Sequence, residues 1–233
     1  MKEMIKNISP IDEISDIWKP LTYEERIYLR ENTKFLEFKK NEYIYRDGEM
    51  PEYMFFLLEG HVKIYREGVC GRQQLLRIIC PKNLFGYRAY FSNSRYVATA
   101  VGIDNVSLYA VPLSVFKQII ESNNKLSVYF IGLLSQELAI ADMRLVSLTQ
   151  KHVRGRLAET ILKLIEIYGI DPNTKNINGY LSREDLAGYA NMTASNAIRT
   201  LSSFDSEKLL EVNGKRMRVL DIDQLTKISQ QGQ

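Results

Sequence analysis

The chain has 233 residues, 45% of them hydrophobic and 25% charged, with a formal net charge of +3. That is enough for one large or two ordinary domains, and it excludes a disordered chain. No apolar run approaches the roughly 20 residues of a membrane span, and two cysteines, Cys70 and Cys80, are too few for a disulfide framework, a four-cysteine iron–sulfur cluster or a zinc ribbon.

The opening MKEMIKNISPIDEISD contains acids and no apolar core, so no secretion signal is expected. Residues 20–32 predict a short amphipathic helix, with Thr22 as cap, Glu24 and Glu25 in its first turn, and Leu21, Ile27 and Leu29 apolar. From about 34 to 112 the pattern changes to short strands: 35–38, 43–45, 54–58, 62–65, 74–79, 97–101 and 107–111. Turn residues separate them at Asp47-Gly48, Glu59-Gly60, Glu67-Gly68, Pro81-Lys82-Asn83 and Ile103-Asp104-Asn105. Short strands so regularly spaced predict a sandwich or small barrel.

After Pro112 the pattern turns helical. Ile131, Leu134, Leu138, Ala141, Leu145 and Leu148 alternate at 3–4 spacing, the seam of a coiled coil, so a helix over 126–150 is expected to pair with its copy in a homodimer. A further helix is expected over 156–168, and the final Gln230-Gln231-Gly232-Gln233 reads as a polar tail.

The most informative stretch is SREDLAGYANMTASNAIRTLSS at 182–203. Ser182 with Asp185 forms an acidic capping signal, Asn191 suits a left-handed turn, and Thr193 caps a second helix from Ala194 to about Phe204. Leu186, Ala190, Ala197, Leu201 and Phe204 mark the inward faces, leaving Ser195, Asn196, Arg199 and Ser203 outward, a polar face suited to a major groove. Next, 209–212 and 217–220 flank Asn213-Gly214, a two-residue hairpin signal, with Lys215, Arg216 and Arg218 at the tip and second strand. Helix–turn–helix plus basic hairpin is a winged helix, whose wing charges suit phosphates. Residues 151–233 hold 12 Lys/Arg against 10 Asp/Glu. The DNA footprint must therefore come from local clustering and from two subunits.

In this order the elements resemble the Crp/Fnr family of bacterial transcription regulators. Three stretches carry the resemblance: LTYEERIYLRENTKFLEFKKNEYIYRDGEMPEYMFFLLEGHVKIYREG, with Lys40, Gly48, Gly60 and Lys63 at family positions, then VRGRLAETILKL at 153–164, and LSREDLAGYANMTASNAIRTL at 181–201. The resemblance implies an α+β fold with an N-terminal antiparallel β-barrel of the jelly-roll, cyclic-nucleotide-binding type over 1–125. A dimerisation helix over 126–150 and a winged helix–turn–helix DNA-binding domain over 151–233 would follow. It implies a cytoplasmic homodimer, without a membrane partner, that binds two-fold-symmetric double-stranded DNA and works with RNA polymerase.

The effector site departs from the family. Cyclic-AMP binders carry Gly-Glu-Leu and then Arg-Ser/Thr-Ala, so that backbone N–H groups and an Arg hold the phosphate and the Glu takes a ribose hydroxyl. Here Gly86 remains, Tyr87 stands at the Glu position and Tyr96 near the Arg position, with Arg88 and Arg95 close by in sequence. On the long helix Ala141-Asp142 replaces the Thr-Ser pair that contacts adenine, so Asp142 would repel an anion if it faced the pocket. Cyclic AMP is not expected, no cofactor is assigned, and the effector-pocket candidates are Gly86, Tyr87, Arg88, Arg95, Tyr96 and Asp142. Tyr87, Tyr90 and Tyr96 could instead fill the pocket. A lone His61 or Cys70 is a weak haem ligand.

Base reading departs as well. The family's Arg-Glu at the start of the recognition helix is Ala194-Ser195 here, while Arg199 keeps the later Arg. Arg199 is expected on guanine and Asn196 on adenine, with Ser182, Arg183 and Thr193 on phosphate. The competing reading is a cyclic-nucleotide or small-anion binding module whose winged helix mediates only protein contacts. No phosphate loop, metal-ligand cluster or nucleophile elbow points to an enzyme.

Overall fold

The structure, a computed structural model, describes residues 18–68 and 71–232. The readings made on the N-terminal segment and on Cys70 lie outside them.

The first compact unit comprises residues up to Arg66 together with Arg77–Leu138. It opens with α1 (Tyr23–Asn32), and Thr22 and Glu25 form a reciprocal capping box in which each side chain accepts from the other's backbone N–H. Leu21 and Leu29 are buried as expected, whereas Ile27 is exposed. Eight strands follow: β1 (Lys34–Phe38), β2 (Tyr43–Tyr45), β3 (Tyr53–Glu59), β4 (Val62–Glu67), β5 (Gln73–Ile79), β6 (Leu84–Phe85), β7 (Thr99–Gly102) and β8 (Val106–Pro112). They form two four-stranded sheets, ordered β1-β8-β3-β6 and β2-β7-β4-β5. Two such sheets are the sandwich or small barrel that the strand spacing predicts.

The sheet chemistry explains β3, which reads apolar on both faces. Met54 and Phe56 feed one core with Trp18, Leu29, Tyr87, Tyr109, Phe116 and Phe130, beneath the helices. Phe55 and Leu57, on the other face of the pleat, feed a second core inside the barrel with Tyr45, Phe85, Tyr96 and Leu108. Each fully buried large side chain contributes roughly 1.5–3 kcal/mol. Gly60 at the β3–β4 turn has φ +81°, and a Cβ there would lie 2.2 Å from the Asn105 carbonyl oxygen, so only glycine fits.

Between β6 and β7 lies α2 (Arg88–Phe91), a single turn of helix. After β8 come α3 (Leu113–Ser122) and α4 (Asn124–Gln150), the latter 27 residues and about 40 Å long. By length and composition α4 could cross a membrane, contrary to the reading that no segment approaches that size. Its apolar surface within the protomer is largely open: Ile131, Leu138 and Leu145 are each more than 60% exposed. Ala141 is exposed too, Leu148 is half-buried, and Leu134 is partly buried against the first core.

The second unit comprises Glu67–Leu76 and Ala139–Gln233. Within it α5 (Val153–Tyr168), α6 (Arg183–Tyr189), α7 (Ala194–Ser206), the hairpin β9 (Leu210–Asn213) and β10 (Arg216–Val219), and α8 (Ile222–Gln231) build a winged helix. Of the supposed polar tail, Gln230 and Gln231 end α8 and Gly232 caps it, while Gln233 lies outside the described residues. Asp221 caps it by accepting from Gln224 N–H, and Leu225 and Ile228 are buried. Gly155 on α5 lets the chain pass at Gly232, where a Cβ would come within 2.8 Å of the Gly232 carbonyl carbon. Inside the same unit, Arg144 of α4 donates to the Leu75, Leu76 and Tyr189 carbonyls, with its guanidinium 3.9 Å from the centre of the Tyr189 ring.

Candidate functional site

The two helices of the motif are set by their caps. Ser182 Oγ accepts from Asp185 N–H at 3.0 Å, and Thr193 Oγ1 from Asn196 N–H at 3.2 Å. Asn191 takes φ +50° at the reversal, as its residue type foretold. Leu186, Ala190, Ala197, Leu201 and Phe204 are all buried, which fixes the outward face of α7.

That face carries Ser195 and Arg199, both exposed, with half-buried Asn196 beside them. Arg199 donates to Asn196 Oδ1 at 2.8 Å, so the two side chains present one preformed donor–acceptor edge. Two corrections follow from helical rotation. At about 100° per residue, Ser203 lies some 80° round from Ser195, and the structure turns it to Arg154 and Glu207. Ser202 is exposed instead. Ile198, half exposed on the same face, was not singled out in the sequence, although its place one residue before Arg199 was visible there. An apolar side chain at that position suits a thymine methyl.

Arg154, Ser203 and Glu207 tie α5 to the end of α7. Arg154 grips Glu207 with two nitrogens while Ser203 Oγ donates to it at 2.6 Å. The hydrogen bonds from Arg154 and Ser203 hold the Glu207 carboxyl below its ordinary value. A carboxylate lowered by folding stabilises above its unfolded pKa, about 4.3, and loses that contribution as pH falls through the folded value. Glu207→Gln should therefore melt below the parent at pH 7, with the difference closing below about pH 4. Melts compared across pH 3–7 check this, and a constant difference would refute it.

On the wing, Lys215, Arg216 and Arg218 are exposed. Arg218 faces Glu211 across the hairpin register and pairs with it at 3.2 Å, an acid of the first strand that a reading of the tip and second strand alone passes over. Lys215 lies 5.5 Å from the Tyr180 ring centre. Arg183 is half-buried, and its guanidinium donates to the Gly214 carbonyl at 2.5 Å. It thereby braces the wing turn against α6.

In the first unit the effector candidates separate into two groups. Gly86, with φ +87°, lies where a Cβ would come 2.7 Å from Phe55 Cδ2. It turns Tyr87 and Arg88 toward Glu137 of α4: Tyr87 Oη is 2.7 Å and Arg88 Nη2 2.5 Å from Glu137 Oε2, and Arg77 Nη1 is 3.3 Å from Oε1. Burial pushes the Tyr87 hydroxyl above its ordinary value, with the Glu137 charge adding to the rise. Tyr96 is buried elsewhere, stacked on Tyr45 with centroids 3.8 Å apart. Burial raises Tyr45 to about 12. Arg95 donates to the Gly48 carbonyl at 2.9 Å. Asp142, the acid suspected of facing the pocket, is exposed on α4. The acid that meets the arginines is Glu137, which sequence reading did not find. Tyr87 and Tyr96 are buried and Tyr90 is half-buried, with Tyr87 in the first core, Tyr90 packed against it and Tyr96 in the second. The His61 ring is bonded to Asp104, with Nδ1 2.9 Å from Oδ2.

Two family descriptions match: a cyclic nucleotide-binding domain over residues 35–123 and a Crp-like helix-turn-helix domain over 155–228. The "CRP-like cAMP-activated global transcriptional regulator" of Mycobacterium tuberculosis is 22% identical over 193 residues, covering 82% of this chain and 86% of that protein. The "Global nitrogen regulator" of a Nostoc species is 23% identical, covering 78% and 83%. Among solved structures, a crp/fnr-family regulator from Eubacterium rectale superposes with TM-score 0.78 at 16% identity, covering 92% of this chain and 98% of the other. FixK2 from Bradyrhizobium japonicum gives 0.74 at 21% identity, covering 84% and 96%.

Proposed function

Because the chain belongs to the Crp/Fnr family of transcription regulators, being like them a DNA-binding regulator, we propose that it acts as a cytoplasmic homodimer that reads a two-fold-symmetric operator without cyclic AMP. The observation that carries the proposal is α7. Its Ser195, Ile198 and Arg199 stand exposed on one face, beside a wing that presents Lys215 and Arg216. Arg199 makes the bidentate guanine contact and Asn196 reads adenine. Ser195 lies where the family's cytosine-accepting Glu stands, so the half-site differs from the usual one. Ser182, Thr193, Lys215, Arg216 and Arg218 lie along phosphates, and the helix N-termini add their partial positive charge.

The open stripe Ile131, Leu138 and Leu145 on α4 supports dimerisation, because such exposure in the protomer is what a helix awaiting its pair leaves uncovered. Pairing through that stripe places two recognition helices on successive major grooves, about 34 Å apart. The role is regulatory rather than catalytic, with RNA polymerase as the downstream partner.

Selection of purified, ligand-free protein on a random double-stranded DNA library at physiological salt tests the reading. Enrichment of a palindrome with half-sites one helical turn apart is the expected result. Failure to enrich, both alone and with cell extract, would favour the winged helix as a protein-contact module.

A further inference from the structure

Arg77 on β5, Tyr87 after the β6 turn and Arg88 on α2 converge from three separate elements on one point in the first unit. Four donor atoms reach it: Arg88 Nε and Nη2 and Tyr87 Oη on one oxygen, and Arg77 Nη1 on the other. Two guanidiniums and a buried phenol face a single negative charge, so the group is a receptor for an anion. The planar pair of acceptor oxygens at its centre suits a carboxylate. Burial lowers the Arg77 pKa, neighbouring Arg88 lowers it further, and Glu137 opposes both. Taking the carboxylate away would leave two like charges close together and partly withdrawn from water, which is costly.

We infer that this cluster is an anion-binding site whose resident ligand is the chain's own Glu137, a carboxylate tethered to α4 in the place a small soluble carboxylate would otherwise fill. The tether fastens α4 to α2 and β5 and so does an effector's work intramolecularly, with no association entropy to overcome. The anion site stands on the geometry of the first unit. Its bearing on DNA binding rests on the regulatory reading above.

The test uses full-length Glu137→Ala, melted in chloride and in formate or acetate at equal ionic strength. In chloride the variant should melt on the order of 5–10 °C below the parent. Formate or acetate should restore about half or more of that loss, saturably, and leave the parent unmoved. Adding Arg77→Met to Glu137→Ala removes the more buried of the two unpaired cations and relieves their repulsion, so the double variant should regain stability in chloride and respond little to formate. A single variant that melts like the parent, or that responds alike to chloride and formate, overturns the inference. If Glu137→Ala does not fold, the double variant decides: folding in chloride supports the inference, and failure there overturns it. DNA affinity measured in parallel separates the two readings. Anion-specific recovery of the melt with unchanged DNA affinity keeps the anion site and removes its regulatory role.

Discussion

Leu138→Asp is expected to convert the proposed dimer into a monomer while leaving the protomer folded. Leu138 is 63% exposed within one chain, so its replacement disturbs little inside it. Across a two-fold helix pair the same residue counts twice. Burying each leucine contributes roughly 1.5–3 kcal/mol, giving about 3–6 kcal/mol per dimer. That raises the dissociation constant on the order of 10²–10⁴-fold, before the cost of setting a charge in an apolar seam. Sedimentation velocity at micromolar concentration, with circular dichroism to confirm folding, measures it. A variant that stays dimeric would place the interface away from the Ile131–Leu138–Leu145 stripe. Specific DNA binding should fall with dimerisation, because a single half-site lacks the phosphate contacts of the pair.

Arg199→Ala should weaken operator binding by about 1–3 kcal/mol per half-site, and by twice that on a symmetric operator. Non-specific binding should be nearly unchanged, since exposed Arg199 is proposed to lie on bases and the wing residues to carry the sequence-independent charge. The loss also frees Asn196, whose Oδ1 accepts a hydrogen bond from Arg199 Nη2 at 2.8 Å. Preference at the base read by Asn196 should therefore relax as well. Titrations against operator and scrambled duplex at fixed salt distinguish the cases. An equal loss on both would show that Arg199 binds phosphate.

The architecture was legible in the sequence because its signals are local. Alternating strands, glycine turns, the caps Thr22, Ser182 and Thr193, and the left-handed turn residue Asn191 each act over a few residues, and all recur in the structure. The elements that escaped notice had weak or short signals. β6 is two residues and α2 a single turn. α8 is polar enough to read as tail, although the Asp221 cap and the spacing of Leu225 and Ile228 were there to be found. Outward faces were legible to within one residue of helical rotation, which is why Ser203 was misplaced and Ile198 missed. Glu137 was out of reach for a different reason. Its partners lie 49 to 60 residues away, and nothing local distinguishes it from any solvated glutamate on a long helix.

Arg144 has a consequence of another kind. One guanidinium is shared among carbonyls at the start of β5 and at the end of α6, and burial lowers its pKa. Releasing either segment alone would strand a desolvated cation on the other, so neither opens cheaply by itself. In the language of native-state fluctuations, residues 73–76 and the end of α6 are expected to open together, as one cooperative unit in hydrogen exchange.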